Sequence, residues 1–312
     1  MPLSAANTEF LTQMAEAGAK PIEESTPEEV RALVAGLVDL YGTGPEVARV
    51  EDHTVANADG STFDLRVLVP NGTPAGVIIY YHGGGWVIGA LPEFDTLGRK
   101  LADRTNCTVV LPDYRLAPEH RYPAAVDDAY AALQWVSDNL ESLAGAAAPI
   151  VVAGDSAGGN LAAVVALRSR ERGGPQIALQ VLVYPVTDAN FDNDSYVDPE
   201  NQLMLNRQSM IWFWDHYAPD AAHRSEPDAS PLKATDLSGL PPALVFTAEY
   251  DVLRDEGEAY AARLEQAGVH VDHTRVEGQM HGFFTLLMVP GHDEAIDRIV
   301  TAIDNTRATR AV

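Results

Sequence analysis

The spacing of apolar positions changes several times along this chain, and each change marks a different kind of element. Over residues 4–20 and 27–41 apolar residues recur at helical intervals, and in the second stretch Val30, Leu33, Val34, Leu37 and Val38 share one face. That stretch opens with Thr26-Pro27-Glu28-Glu29, where Thr26 can cap, Pro27 suits the first turn and Glu29 can close a capping box. Both helices precede any strand, so they must pack onto a domain built later in the chain. From residue 47 to 70 apolar and polar residues alternate, and Asp59-Gly60 between residues 50–56 and 63–69 predicts a hairpin.

Beyond the hairpin, short apolar runs at 77–81, 108–111, 149–153 and 178–184 read as strands. The intervening stretches 96–104, 124–143 and 159–167 read as helices. Strands alternating with helices imply parallel pairing through right-handed crossovers, a sheet covered on both faces, and ligands at the carboxyl ends of the strands. Between about 186 and 236 this rhythm stops. A polar run, 188–194, is followed by an aromatic helical segment, 207–217, that ends near Pro219 and carries Trp212 and Trp214. Two readings stand for it: a helix packed against the domain, or an insertion over the strand ends whose apolar face touches substrate. Alternation then resumes with a strand at 243–247, a helix at 256–266 closed by Gly268, a last strand at 269–276 and a final helix at 293–303.

Composition narrows the partners. A formal charge of −24, from 45 acidic and 21 basic residues, repels nucleic acid and anionic membrane surfaces alike, which leaves neutral or small molecules. One cysteine, Cys107, excludes an intramolecular disulfide framework and a multi-cysteine zinc site. The N-terminus has neither a basic nor an apolar signal region, and no run of about 18 apolar residues occurs, so a cytoplasmic protein is expected.

Candidate chemistry centres on Gly154-Asp155-Ser156-Ala157-Gly158, a G-x-S-x-G pentapeptide between the 149–153 strand and a helix. On such a turn small neighbours let the chain bend sharply, so that a serine Oγ stands above the sheet and the next N–H points to the same spot. A nucleophilic serine also needs a base and an acid that orients it, in the chain order Ser, acid, His. Asp251 lies just past a strand, and His281 alone among the nine histidines lies beyond it in a loop directly after a strand. His82-Gly83-Gly84-Gly85-Trp86 follows the strand ending at Tyr81, where glycine amides can approach a developing oxyanion opposite the Ala157 N–H. Nucleotide-binding, P-loop and zincin motifs are absent, and the acidic run from Asp188 lacks the glycine and glutamate that a calcium loop needs, so no metal or other cofactor is expected.

Taken together, Tyr81 to Trp86, Asp113 to Glu119, Gly154 to Leu161, Asp251 to Glu256 and His281 to Phe283 resemble the hormone-sensitive-lipase-like esterases, the HGGG branch of the α/β-hydrolases. The resemblance implies an α/β fold with a mostly parallel, twisted eight-stranded sheet, helices on both faces and a helical cap. The cap would comprise 1–46 and 186–236, the catalytic domain 47–185 and 237–312. It implies Ser156, Asp251 and His281 as triad, and the amides of Gly83, Gly84 and Ala157 as oxyanion hole. An acyl-enzyme on Ser156 would then hydrolyse short to medium acyl esters, the carboxylic-ester hydrolase reaction. Amides, lactones and carbamates are open to the same triad. Trp86, Trp212 and Tyr184 are the expected substrate contacts. Dimerisation through the last strand is a further family expectation. Receptors built on the same scaffold lack the base, which His281 supplies here.

Overall fold

The computed structural model describes residues 1–18 and 20–310. Ala19, within the first helical stretch of the sequence reading, and residues 311–312, at the end of its catalytic segment, lie outside the described residues. Among the described residues eight strands form one sheet: β1 (Arg49–Ala56), β2 (Thr62–Val69), β3 (Val77–Tyr81), β4 (Thr108–Asp113), β5 (Ile150–Asp155), β6 (Leu179–Val183), β7 (Ala243–Tyr250) and β8 (Val271–Met280). Their order is β1-β2-β4-β3-β5-β6-β7-β8, antiparallel where β2 meets β1 and β4, and parallel from β4 to β8. β3, β5 and β6 are buried throughout, as fits strands covered on both faces.

The helices are α1 (Ala5–Glu16), α2 (Pro27–Ala35), α3 (Val38–Tyr41), α4 (Leu91–Thr105), α5 (Ala124–Asp138), α6 (Leu140–Ala144), α7 (Ala157–Arg172), α8 (Asp194–Val197), α9 (Arg207–Tyr217), α10 (Ala221–Arg224), α11 (Arg254–Gln266) and α12 (His292–Arg310). One apolar layer, with α5 and α7, fills one face of the sheet, and a second, with α4 and α12, fills the other. Among the described residues no helix is long and apolar enough to cross a membrane.

Several boundaries differ from the sequence pattern. The capping box at Thr26 and Glu29 forms as expected, yet the 27–41 stretch divides at Gly36 into α2 and α3. The 124–143 stretch divides at Asn139, whose side chain turns back onto the Trp135 carbonyl. α4 begins five residues before the periodic stretch, because Pro92 sits in its first turn, where no intrahelical N–H is needed.

The segment 186–236 is tied to the catalytic layers through buried polar contacts. Asn160 on α7 donates from Nδ2 to the Val186 carbonyl at 2.9 Å and to the Ala229 carbonyl at 2.8 Å. The N-terminal helices are tied equally firmly. Arg31 on α2 donates to the Val87 and Ala117 carbonyls and makes a two-pronged contact with Glu119, every distance being 2.8 Å. Glu119, Asp255 and Arg115 therefore brace loops: Asp255 accepts from the Ser195 N–H, and Arg115 grips the fully buried Asp128.

Candidate active site

Ser156 sits between β5 and α7 with φ 54° and ψ −119°, a conformation that L-residues rarely hold. The flanking glycines make the bend possible. A Cβ on Gly158 would fall inside the Tyr81 carbonyl of β3, and one on Gly154 inside the Gly158 carbonyl. β5 runs two residues further than the apolar pattern, and α7 begins at Ala157 rather than Gly159, so the turn is Ser156 itself. No other residue intervenes between strand and helix.

Three distant side chains meet there. His281 Nε2 lies 3.1 Å from Ser156 Oγ, and His281 Nδ1 lies 2.8 Å from Asp251 Oδ2. The carboxylate can only accept, so Nδ1 carries the proton and Nε2 is left to take the hydroxyl proton. Asp251 is buried to 1% exposure, and its other oxygen accepts the Leu253 N–H at 3.0 Å. The acid, base and hydroxyl form one hydrogen-bonded line spanning β7, β8 and β5.

The glycine loop differs from expectation at one amide. The Gly83 N–H donates to Asp155 Oδ1 at 2.9 Å, and the same oxygen accepts the Tyr80 hydroxyl at 2.7 Å. Gly83 is therefore corrected as an oxyanion donor, since its only N–H is already engaged. Burial pushes the Asp155 carboxyl up to about 6, which these two donors oppose. Gly84 and Gly85, at φ 107° and 58°, line the cavity beside Ser156. His82 holds the loop from below: its Nδ1 lies 2.6 Å from the Gly83 carbonyl, which assigns the proton to that nitrogen. Burial lowers the imidazole to about 4, so it stays neutral. Ala157 is the first residue of α7, so its N–H has no partner inside that helix.

Above Ser156 opens a cavity of about 380 Å³. Its wall includes Phe10 and Met14 of α1, the stripe formed by Val30, Leu33 and Val34 of α2 with Leu37 just before α3, and Met210 and Phe213 of α9. The stripe that sequence reads as a packing face is thus largely a cavity wall.

The aromatics expected to contact substrate stand elsewhere. Trp86 is fully buried, stacked on Tyr217 at 4.1 Å between ring centres and set edgewise to Trp214, so it clamps the glycine loop to α9. Trp212 points away and meets His216 edgewise at 4.4 Å. Tyr184 is buried with its ring 4.5 Å from that of His281, supporting the imidazole. None of the three is among the cavity-lining residues, whereas Phe213, one position from Trp212, is. A helix puts neighbours on different faces, and the aromatic run alone does not say which face turns inward.

A strand-borne serine, an imidazole and a buried carboxylate beneath an apolar cavity define a serine hydrolase of α/β architecture. Residues 78–285 match the family described as alpha/beta hydrolase fold, and the chain belongs to this family, in its hormone-sensitive-lipase-like carboxylesterase branch. It is 41% identical over 294 residues to carboxylesterase NlhH of Mycobacterium tuberculosis, covering 91% of each chain. It is 38% identical to the ethyl acetate hydrolase of Pseudomonas putida, covering 88% of this chain and 87% of that one. The hyperthermophilic esterase of the archaeon Pyrobaculum calidifontis superposes with a TM-score of 0.90 at 40% identity, over 98% of this chain and 99% of that one. The chain is accordingly a carboxylic-ester hydrolase.

Proposed function

We propose that Ser156, His281 and Asp251 form the catalytic triad and that the chain hydrolyses short to medium acyl esters through an acyl-enzyme on Ser156. The observation that carries this reading is the continuous hydrogen-bonded line from Asp251 through His281 to Ser156. His281 Nε2 takes the hydroxyl proton as Oγ attacks the ester carbonyl, and Asp251 orients the imidazole and stabilises its positive charge. The imidazolium then protonates the leaving alcohol, and water activated by the same nitrogen releases the acid. The oxyanion is received by the Gly84 and Gly85 amides on one side and the Ala157 amide, at the positive end of α7, on the other. In support, the first two line the cavity and Gly83 is bound to Asp155. Residues 1–46 and 186–236 act as cap, since α1, α2 and α9 supply much of the cavity wall.

Labelling with a fluorophosphonate probe tests the site directly: peptide mapping places the adduct on Ser156, and an adduct elsewhere rejects the assignment. The apolar wall also sets a chain-length profile. Each buried methylene is worth about 0.8 kcal/mol, roughly fourfold in kcat/KM, until the cavity is full. A p-nitrophenyl ester series is expected to peak between butanoyl and octanoyl and to fall at palmitoyl; a rate still climbing at palmitoyl contradicts the assigned cavity. Small esters in a cytoplasmic setting suit the charge of −24, and β8, one of the two outer strands of the sheet, is the surface through which two copies would join.

A further inference from the structure

The cavity wall holds a carboxyl that the hydrolytic step does not use. Glu93, in the first turn of α4, lines the same cavity as Ser156 and His281. Its Oε2 is buried and finds no hydrogen-bond partner among the described residues. The residue is only partly buried and lines the cavity, so the rest of its carboxyl stays in contact with that space. The surrounding wall is mostly hydrocarbon, from Phe94, Val34 and Leu37 to Leu286. A plain alkyl chain entering the cavity would exclude water from the accessible part of the carboxyl and offer nothing in return, so the group would carry its full desolvation penalty. A substrate with a donor group would answer it.

We infer that Glu93 is a specificity-determining residue, accepting a hydrogen bond from a hydroxyl or ammonium group that the ester carries away from its scissile bond. The inference rests on Ser156 being the nucleophile of this cavity, and it names the substrate class: esters of hydroxylated or amino-substituted acids or alcohols. Sites built to bond a substrate OH or NH discriminate strongly against the analogue lacking it, because the site's own polar group is then stranded. The charge environment also makes the preference depend on pH. Burial pushes the Glu93 carboxyl up to about 7, with Asp113 of β4 adding to the rise. Tyr41 on α3 shares the cavity wall, and its phenol is pushed up to about 12 by burial and by Glu93. Lys20, Asp155 and His281 are the other titratable groups of that wall. Above pH 7 Glu93 is a carboxylate and a stronger acceptor; below it the proton makes the oxygen compatible with plain chains.

The test uses matched esters. On the acyl side p-nitrophenyl hexanoate is compared with its 6-hydroxy and 6-amino analogues, and on the alcohol side propyl butanoate with 2,3-dihydroxypropyl butanoate. The unsubstituted enzyme is expected to favour the donor-bearing ester in at least one series, with the ratio of kcat/KM values rising as pH passes from 6 to 8. Taking this ratio cancels any pH dependence of the hydrolytic step common to both esters. Glu93→Leu is expected to lower the ratio about tenfold to a hundredfold and to flatten its pH dependence. Glu93→Gln, close in shape, keeps part of the hydroxyl preference and loses the ammonium preference. Unchanged ratios in both variants and both series overturn the inference. Hydrolysis of p-nitrophenyl hexanoate by the variants keeps the nucleophile assignment standing whatever the ratios say. A wild-type enzyme inert toward every ester removes that assignment and the inference with it.

Discussion

Ser156→Ala is expected to lower kcat toward p-nitrophenyl butanoate by about five to six orders of magnitude, some 7–8 kcal/mol of transition-state stabilisation. The side chain is small and buried to 6% exposure, and its removal leaves the Ser156 N–H bond to the Val183 carbonyl intact. Stability should therefore change little, and positive φ at this residue remains a backbone matter. His281→Ala is expected to lose about as much, and the double variant no more than either single one, because the two side chains work as one unit. Asp251→Asn is expected to lose about ten-thousandfold: the amide keeps one acceptor oxygen for two donors, the Leu253 N–H and the His281 Nδ1–H, and an NH2 turned to Nδ1 selects the wrong tautomer. Steady-state kinetics on purified variants, with melting curves alongside, checks all four. Residual activity above about one part in a thousand for Ser156→Ala, in protein free of wild-type carry-over, would mean that another nucleophile operates.

The reacting line was readable from sequence for a physical reason. The proposed nucleophile, acid and base each occupy a loop at the carboxyl end of a strand, and strands announce themselves by apolar runs, so chain order and local pattern single out Ser156, Asp251 and His281 without knowledge of contacts. The eight strands and their mostly parallel order follow from the same alternation. What each amide and each ring does was less legible, since it depends on partners remote in sequence. Gly83 is bound by Asp155, 72 residues away, and nothing local to His82-Gly83-Gly84 distinguishes the first amide from the second. Trp86 looks like a substrate contact beside the glycine loop until Tyr217 stacks on it. The α2 stripe has the spacing of a packing face, and only the position of α4 and α9 leaves a space in front of it. Glu93 gave no periodic signal, because a single polar residue in a first helical turn is what helix termini ordinarily contain.

Replacement of a second elbow residue is expected to act through shape alone. Gly158→Ala would place a methyl group inside the Tyr81 carbonyl oxygen and 2.5 Å from the His82 carbonyl oxygen. Both obstacles are backbone, at the point where β3 passes into the glycine loop, so no side chain can rotate away. Helix propensity favours alanine over glycine in α7 by about 1 kcal/mol, but the contact opposes it and wins. Relief requires α7 to move off β3, which separates Ser156 and the Ala157 amide from Gly84. We expect a loss of about 3 kcal/mol or more in stability, a fall of several degrees in melting temperature, and at least a hundredfold lower kcat in whatever remains folded. Gly257→Ala in α11 is the matched control. There the nearest neighbour is a side-chain methyl, Thr247 Cγ2 at 3.1 Å, which can shift by a few tenths of an ångström. Its stability should stay within about 1 kcal/mol of wild type and its kcat within about twofold. Were both substitutions to behave alike, steric closure of the elbow against β3 would not be what fixes Ser156 opposite the glycine loop.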